Sequence, residues 1–405
     1  MDAIDYQRAA DLSSALRANA LSGSAIIGGG TNLLDLMKGG VAHPVRLIDI
    51  THIAGLDQVS TLPGGGLRIG ATVRNSDLAN HPLVRERYPL LSQAMLAGAS
   101  AQLRNMATVG GNLMQRTRCH YFYDPVYAEC NKRRPGSGCA ALQGFSRMHA
   151  ILGADARLDP NAPSDTTAMV AAGERPAAEA ALQPALQANS RRASQPSSHP
   201  PSQPPSQPPS QLSSQPVSPP ALQSPSRPTS QCIAVNPSDM SVALAALDAT
   251  IRVSGPRGDR LIAMANFHRL PGTTPERDSN LEPGELITGI DLPPATFGAN
   301  VHYLKIRDRA SYAFALVSVA AALELDGATV RTVRIALGGV AHKPWRAIEA
   351  EQMLTGRTLD EATLEQAAAS VVRGAQVYGG NAFKVTLAQR AIVRAVRLAA
   401  NGATA

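Results

Sequence analysis

The middle of this 405-residue chain holds a stretch that no hydrophobic core can accept. From Arg157 to Gln231, 75 residues contain 16 of the 30 prolines, including three consecutive Pro-Pro-Ser-Gln units from Pro200 to Gln211. Serine and glutamine fill most of the remainder, and residues 187–231 offer almost no apolar side chain. Such a segment cannot offset its own ordering entropy, so we expect it to be disordered or polyproline II-like. Its Pro-x-x-Pro spacing would suit an SH3-type domain, but a surface insertion is the simpler reading, because loop-closure entropy grows slowly with length. Whatever folds must be assembled from the sequence on either side, 330 residues once the 75 are set aside.

That remainder is large enough for two or three subdomains. The chain is 44% hydrophobic and 17% charged, which excludes a wholly disordered protein. No run of 18 apolar residues exists, so no membrane span is expected. The opening Met1-Asp2-Ala3-Ile4-Asp5 carries two acids and no apolar h-region, so no signal peptide is expected either. A formal charge of +7 invites an anionic partner. Nucleic acid is disfavoured, because no lysine-rich tract or aromatic–basic alternation accompanies the charge. A phosphate-bearing cofactor or an acidic partner subunit would use it equally well.

Local patterns predict an α+β fold. Residues 1–57 read as helix, strand, glycine loop, helix and strand, with strands at residues 25–27 and 46–50 and a helix start at 33–37. Residues 67–72 alternate like a strand, Ser76 is expected to cap a helix, and Pro82 and Pro89 punctuate the approach to an apolar run at 90–96. Beyond the insertion, Ser238 or Asp239 caps a helix, residues 250–254 and 261–264 look like paired strands, and 286–292 is a strand ending at Pro293-Pro294. The tail predicts a helix at 313–325, a strand at 330–337, and helices around Glu349, Glu365 and 381–399. Strands and helices in irregular order argue for α+β domains rather than a doubly wound sheet. We expect divisions at 1–57, 58–294 and 297–400, with a cysteine-bearing segment formed by 116–156 and 232–239.

The first chemical signal is Gly28-Gly29-Gly30-Thr31-Asn32, between an apolar strand and an apolar helix. Glycines let backbone N–H groups approach an anion, and the helix N-terminus adds a favourable dipole. The spacing is neither the Rossmann pattern nor a P-loop. Alone, it could equally be a tight strand–helix turn. A second loop, residues 104–112 (RNMATVGGN), adds paired glycines, a hydroxyl, an amide and a guanidinium. Two such loops could close over the two phosphates of one dinucleotide.

The cysteines are Cys119, Cys130, Cys139 and Cys232, and no Cys-x-x-Cys pair occurs. The last gap, 92 residues, closes to 17 when the 75-residue insertion is set aside, so all four fall in one short segment. Clustered thiols of this kind read as a metal site more readily than as a disulfide framework. Arg116, Arg118, Lys132, Arg133 and Arg134 flank the first two and would compensate a thiolate centre, unless they form a solvated basic loop. Gly136-Ser137-Gly138 would free backbone N–H groups toward cluster sulfur. Four thiolates suit zinc as well as iron. No acid–base pair stands out; His120 and His149 lie near the cysteines, where a lone histidine is more often structural.

Residues 25–38 (AIIGGGTNLLDLMK) and 104–112 resemble the paired FAD loops of the xanthine dehydrogenase or molybdopterin dehydrogenase flavin subunits. Their fold is similar to that of the vanillyl-alcohol oxidase and p-cresol methylhydroxylase (PCMH-type) flavoproteins, followed by a C-terminal α+β flavoprotein domain like that of CO dehydrogenase. Pro237-Ser238-Asp239 before an apolar helix, and Glu285-Leu286-Ile287 running into Leu292-Pro293, also resemble that family. The resemblance implies FAD contacts from Ala25, Ile26, Ile27, Gly28, Gly29, Gly30, Thr31, Asn32 and Leu33. It implies others from Thr108, Gly110, Gly111 and Asn112, and from Asp239, Ile287 and Lys305. By residue type alone, Asp239 would serve equally as a helix N-cap and Lys305 as a solvated surface base.

Residues 116–139 (RTRCHYFYDPVYAECNKRRPGSGC), Gly144-Phe145-Ser146-Arg147 and Cys232-Ile233-Ala234 look very like one subgroup of that family. These are FAD-binding subunits of periplasmic aldehyde oxidoreductases, which carry an additional [4Fe–4S] cluster in an inserted loop. The resemblance implies that Cys119, Cys130, Cys139 and Cys232 ligate such a cluster; the proline-rich insertion before Cys232 departs from the subgroup's short linker. It also implies a molybdenum-cofactor large subunit, which would oxidise an aldehyde, and a [2Fe–2S] small subunit that hands on the electrons. This chain would then pass them through FAD to a terminal acceptor. Export to the periplasm with a signal-bearing partner is implied, although a cytoplasmic complex fits the bare sequence. Rival readings are a xanthine dehydrogenase-type subunit delivering electrons to NAD, a self-sufficient flavin oxidase, and a zinc-stapled binding module.

Overall fold

A computed structural model of the chain describes residues 3–154 and 231–402. The expectation of disorder for 157–231 therefore lies, but for Gln231, outside the described residues. The described residues belong to one compact unit.

The first layer is a parallel sheet of β1 (Asp5–Arg8), β2 (Ser24–Ile27) and β3 (Arg46–Asp49), in the order β1–β3–β2. Parallel pairing needs crossovers. They are α1 (Leu12–Asn19), opened by an Asp11 capping box, and α2 (Leu33–Lys38). β1 escapes the sequence reading because all four of its residues are exposed and polar or aromatic. β2, though apolar in sequence, is only half-buried along its length.

The second layer begins with β4 (Val59–Thr61) and β5 (Leu67–Gly70). Short helices follow: α3 (Asn75–Asn80), α4 (Pro82–Arg87), α5 (Pro89–Ala97), α6 (Ala101–Met106), α7 (Val109–Leu113) and α8 (His120–Tyr123). Pro82 and Pro89 each open a helix, where the missing N–H costs nothing. Ser76 is not a cap: α3 starts after Arg74, and Ser76 is its second residue. After the chain re-enters come α9 (Asp239–Ala246), β6 (Thr250–Gly255), β7 (Gly258–Ala263), α10 (Met264–Phe267) and β8 (Leu286–Leu292). The sheet is antiparallel, ordered β4–β5–β8–β6–β7, with Ile251 opposite Ile262 as the paired-strand reading requires.

The third layer is the antiparallel sheet β12–β11–β10–β9, built from β9 (Val301–Ile306), β10 (Val317–Asp326), β11 (Thr329–Gly338) and β12 (Trp345–Arg346). It is covered by α11 (Ile348–Leu354), α12 (Glu361–Val371) and α13 (Phe383–Ala400). The helix expected at 313–325 is in fact the strand β10. Val317, Val319, Ala321 and Leu323 enter the core under α13, whereas Ala320 and Ala322 enter the core shared with α9. A strand buried on both faces reads as a continuous apolar run, which periodicity cannot separate from a buried helix.

α9 is the hinge of this architecture. Met240 to Ala246 are all buried, between α5 on one side and β10 and β11 on the other. Its N-terminus is thereby fixed beside β9, and Asp239 with it.

Candidate functional site

The two glycine stretches meet. A Cβ on Gly29 would lie 1.8 Å from the Met106 carbonyl oxygen, and one on Gly28 would lie 2.7 Å from Thr108 Oγ1. Gly30, at φ +72°, turns the chain into α2. The second stretch is not a loop throughout. α6 ends at Met106, Ala107 and Thr108 link it to α7, and Gly110 and Gly111 are helical. Thr108 Oγ1 caps α7 by accepting the Gly111 N–H at 3.3 Å.

A cleft of about 600 Å³ lies beside this junction. Of the residues expected at a cofactor, Thr31, Asn32, Gly111, Asn112, Asp239 and Lys305 line it. Ala25, Ile26, Ile27, Gly28, Gly29, Gly30, Leu33, Thr108 and Gly110 are not in its lining. Ile287 sits in the sheet core, paired with Val253.

The lining also contains residues the sequence reading passed over. Asn75 is 6% exposed, and its Oδ1 has no hydrogen-bond partner. Ala99 and Tyr312 both hold φ +51°, a conformation unfavourable to a side chain and concentrated at functional sites. Arg104, Arg118 and Arg309 add positive charge beside Lys305. Nothing in local sequence marks Asn75, Ala99 or Tyr312, because their conformations and burial are set by distant packing.

Lys305 is not a surface base. Its Nζ donates to Asp239 Oδ2 at 2.7 Å and to the Ala97 carbonyl at 3.1 Å. Asp239 is not the cap of α9 either; Ser238 is, accepting the Ser241 N–H at 3.0 Å. The other Asp239 oxygen accepts from the Tyr303 hydroxyl at 2.7 Å. Burial, and then the Asp239 carboxylate, push the Tyr303 phenol well above its usual range, so it stays a donor.

The cleft fits a dinucleotide such as FAD. Its size is that of a cofactor site. Its four bases outnumber the carboxylates Asp35, Asp239 and Asp308 by one, a small positive excess that suits a pyrophosphate, and the orphaned Asn75 oxygen can accept from a ligand N–H or O–H.

The four cysteines are all unbridged, Cys130 and Cys232 buried, Cys119 and Cys139 partly so. Cys130 and Cys139 face each other across an isolated antiparallel bridge. Cys232 is delivered from beyond the insertion, where Asn131 Nδ2 holds the Gln231 carbonyl at 2.8 Å and Ala150 N–H holds that of Ile233 at 2.8 Å. Burial first, with smaller contributions from the neighbouring thiols, pushes the thiols of Cys119 and Cys232 up to about 12. His149 is closer than expected, with Nε2 3.1 Å from Cys119 Sγ.

Four of the five flanking charges, Arg116, Arg118, Lys132 and Arg133, are committed to partners, whereas Arg134 is exposed. Lys132, 3% exposed, and Arg116 share Asp278 at 2.5 and 2.6 Å. Burial alone would raise the Asp278 carboxyl, but Lys132 and Arg116 outweigh it and hold it low. Arg133 clamps the carbonyls around α8. Two of the three N–H groups of the 136–138 turn are also less free than expected. Gly138 donates to Asn131 Oδ1 and Ser137 to the Arg134 carbonyl, because this turn must first close its own hydrogen bonds.

The donor set suits a thiolate-bound metal, since coordination would strip protons that burial otherwise retains. Among the described residues, however, no three His, Cys, Asp or Glu side chains converge as a formed metal site. A cavity of about 170 Å³ separates Cys119 from the cleft, and Arg118, Met148, Pro237, Asp239 and Phe314 line both spaces.

Comparison with known proteins gives the class. Residues 2–295 match the model of the FAD binding domain in molybdopterin dehydrogenase, and residues 302–399 that of the CO dehydrogenase flavoprotein C-terminal domain. The chain belongs to this family of flavin subunits. Within it, the chain is 42% identical over 394 residues to the aldehyde oxidoreductase FAD-binding subunit PaoB of Escherichia coli (strain K12), spanning 97% of this chain and 96% of that one. The glyceraldehyde dehydrogenase medium chain of Sulfolobus acidocaldarius is 39% identical over 134 residues, 33% of this chain and 45% of that one. The fold is shared with a chain of carbon monoxide dehydrogenase from Hydrogenophaga pseudoflava, with a TM-score of 0.63 at 20% identity, over 99% of this chain and 98% of that one. No helix among the described residues is long and apolar enough to cross a membrane.

Proposed function

We propose that this chain is the FAD- and [4Fe–4S]-containing electron-transfer subunit of a molybdenum-dependent aldehyde oxidoreductase. In this reading it works with a molybdenum-cofactor large subunit and a [2Fe–2S] small subunit, and is exported to the periplasm with a signal-bearing partner. The observation that carries the reading is a set of four unbridged thiols, one of which, Cys119, lines a cavity adjoining the cleft, in a chain 42% identical to an aldehyde oxidoreductase flavin subunit.

Bound FAD would supply the ability to take up electrons and release them to an acceptor. The chain's own groups do the holding. Arg104 and Arg309 offer positive charge in the cleft, while the Asp239–Lys305 pair anchors α9 against β9 and Arg118 is paired to Asp35. Cys119, Cys130, Cys139 and Cys232 would hold the cluster, with Lys132 offsetting negative charge near Cys232.

Flavin and metal content of anaerobically purified protein, beside a Cys130→Ser variant, tests the reading. Four irons and one FAD per chain, with iron lost in the variant, support it. FAD without iron removes the cluster, and zinc without flavin favours a stapled binding module. Fractionation of cells producing the complete complex tests the periplasmic assignment.

A further inference from the structure

Asn32 lines the cleft, yet its side chain is spent on the cysteine segment. Its Oδ1 accepts the backbone N–H of Arg116 at 2.8 Å, and its Nδ2 donates to the Tyr123 hydroxyl at 2.9 Å. Tyr123 is the last residue of α8, between Cys119 and Cys130. The same hydroxyl accepts from Arg118 Nη1 at 2.5 Å, and that nitrogen also reaches Asp35 of α2 at 3.2 Å. Arg118 immediately precedes Cys119 and lines both cavities. Beneath these polar links, Leu36 of α2 packs in one cluster with Phe122 and Cys130. The helix that follows the glycine loop is therefore seated on the segment that carries the thiols.

We propose that Tyr123 is a positioning residue that couples the two sites: an ordered cysteine segment holds Asn32 and α2 in the geometry that binds the dinucleotide, and a bound dinucleotide orders the cysteine segment in return. Coupling of this kind is reciprocal by linkage, so each site strengthens the other by one common factor. The path is short and physical: the Tyr123 backbone N–H donates to the Cys119 carbonyl at 3.0 Å, and its hydroxyl accepts from Arg118 and from Asn32. The proposal rests on the cleft being an FAD site, but does not depend on which metal the cysteines take.

Flavin-fluorescence titration of the full-length deflavinated chain tests it, using the wild type, Tyr123→Phe, Cys130→Ser and the double variant. Phenylalanine keeps the ring and removes only the hydroxyl. We expect Tyr123→Phe to weaken FAD binding by roughly 5- to 20-fold. Cys130→Ser should weaken binding in the wild-type background and by less than about twofold in the Tyr123→Phe background, the non-additivity of a shared path. Saturating FAD should slow alkylation of the cysteines in the wild type and not in Tyr123→Phe. Unchanged affinity in Tyr123→Phe, or strictly additive losses, overturns the proposal. If Tyr123→Phe also lowers the thermal midpoint, the wild-type alkylation rate decides, and no protection by FAD overturns the coupling. A wild-type chain that binds no FAD overturns the flavin reading itself, which the titration separates from lost coupling.

Discussion

Lys305 Nζ and Asp239 Oδ2 stand 2.7 Å apart with side chains only 4% and 10% exposed, joining β9 of the C-terminal sheet to the first turn of α9. The pair is fully engaged, since Asp239 also takes the Tyr303 hydroxyl and Lys305 the carbonyl that ends α5. Three elements thus converge at the wall of the cleft.

Removing one partner leaves a buried charge alone. We predict that Asp239→Asn or Lys305→Met each lowers stability by about 3–5 kcal/mol, and that the double variant loses less than the sum. Denaturant midpoints of the four proteins measure the cycle. Additive losses would show that the two charges do not interact.

Gly29→Ala drives a methyl into the Met106 carbonyl, a backbone atom that cannot swing away. The expected loss is about 1–3 kcal/mol, with weaker FAD binding as the two glycine stretches part. Gly298→Ala, where a Cβ meets nothing within 4 Å, is the control and should stay within about 0.5 kcal/mol of wild type. Thermal melts and FAD titration of both variants check this; equal behaviour would refute the close approach.

Burial, opposed by the Leu113 carbonyl and Asp278 and reinforced by Lys343, lowers the pKa of His268 from 6.5 to about 4. Its Nε2 lies 2.9 Å from that carbonyl, and its Nδ1 is buried without a partner. Between these pH values the unfolded chain binds a proton that the native chain refuses. Stability is therefore fully present above pH 6.5 and falls toward pH 4, by up to about 1.4 kcal/mol per pH unit. His268→Gln keeps an amide donor for Leu113 and should flatten that slope by one proton. Denaturant midpoints at pH 7, 6 and 5 read it.

Lys384 of α13 is fully buried, donating to the His149 carbonyl at 2.8 Å and to that of Gly339. Burial pushes its pKa down to about 7 from 10.5. The sign follows from proton binding: between these values the unfolded chain holds more protons, so stability rises with pH across that window, by at most about 1.4 kcal/mol per unit. The carbonyl acceptors favour the ammonium and reduce the slope. Lys384→Met should abolish it and cost about 1–3 kcal/mol at pH 7 by leaving buried carbonyls unpaired. Melts at pH 7 and 9 distinguish the two proteins.

Several elements were readable because their signals are local. Pro82 and Pro89 open helices, and Thr250–Gly255 pairs with Gly258–Ala263, three residues earlier at its start than the expected 261–264, across a turn at Gly258, which adopts φ +97°. Others were hidden for definite reasons. β1 has no buried face to pattern its sequence, and β10 is buried on two faces, so its residues read as one apolar run. Thr108 and the glycines after it looked like a loop, yet their hydrogen bonds close a helical turn.

Sequence alone determined what the chain could be made of: two glycine-rich stretches, four cysteines that cluster once a proline-rich segment is set aside, and enough apolar residues for an α+β body around them. These are matters of residue type and spacing, which physical chemistry reads directly. Tertiary structure decided which of those groups face the cleft and what each is tied to. Asn32 finds Tyr123 across 91 positions and Lys305 finds Asp239 across 66. Such partnerships have no local signature, because they depend on α2, α8, α9 and β9 being packed by cores whose residues lie elsewhere in the chain.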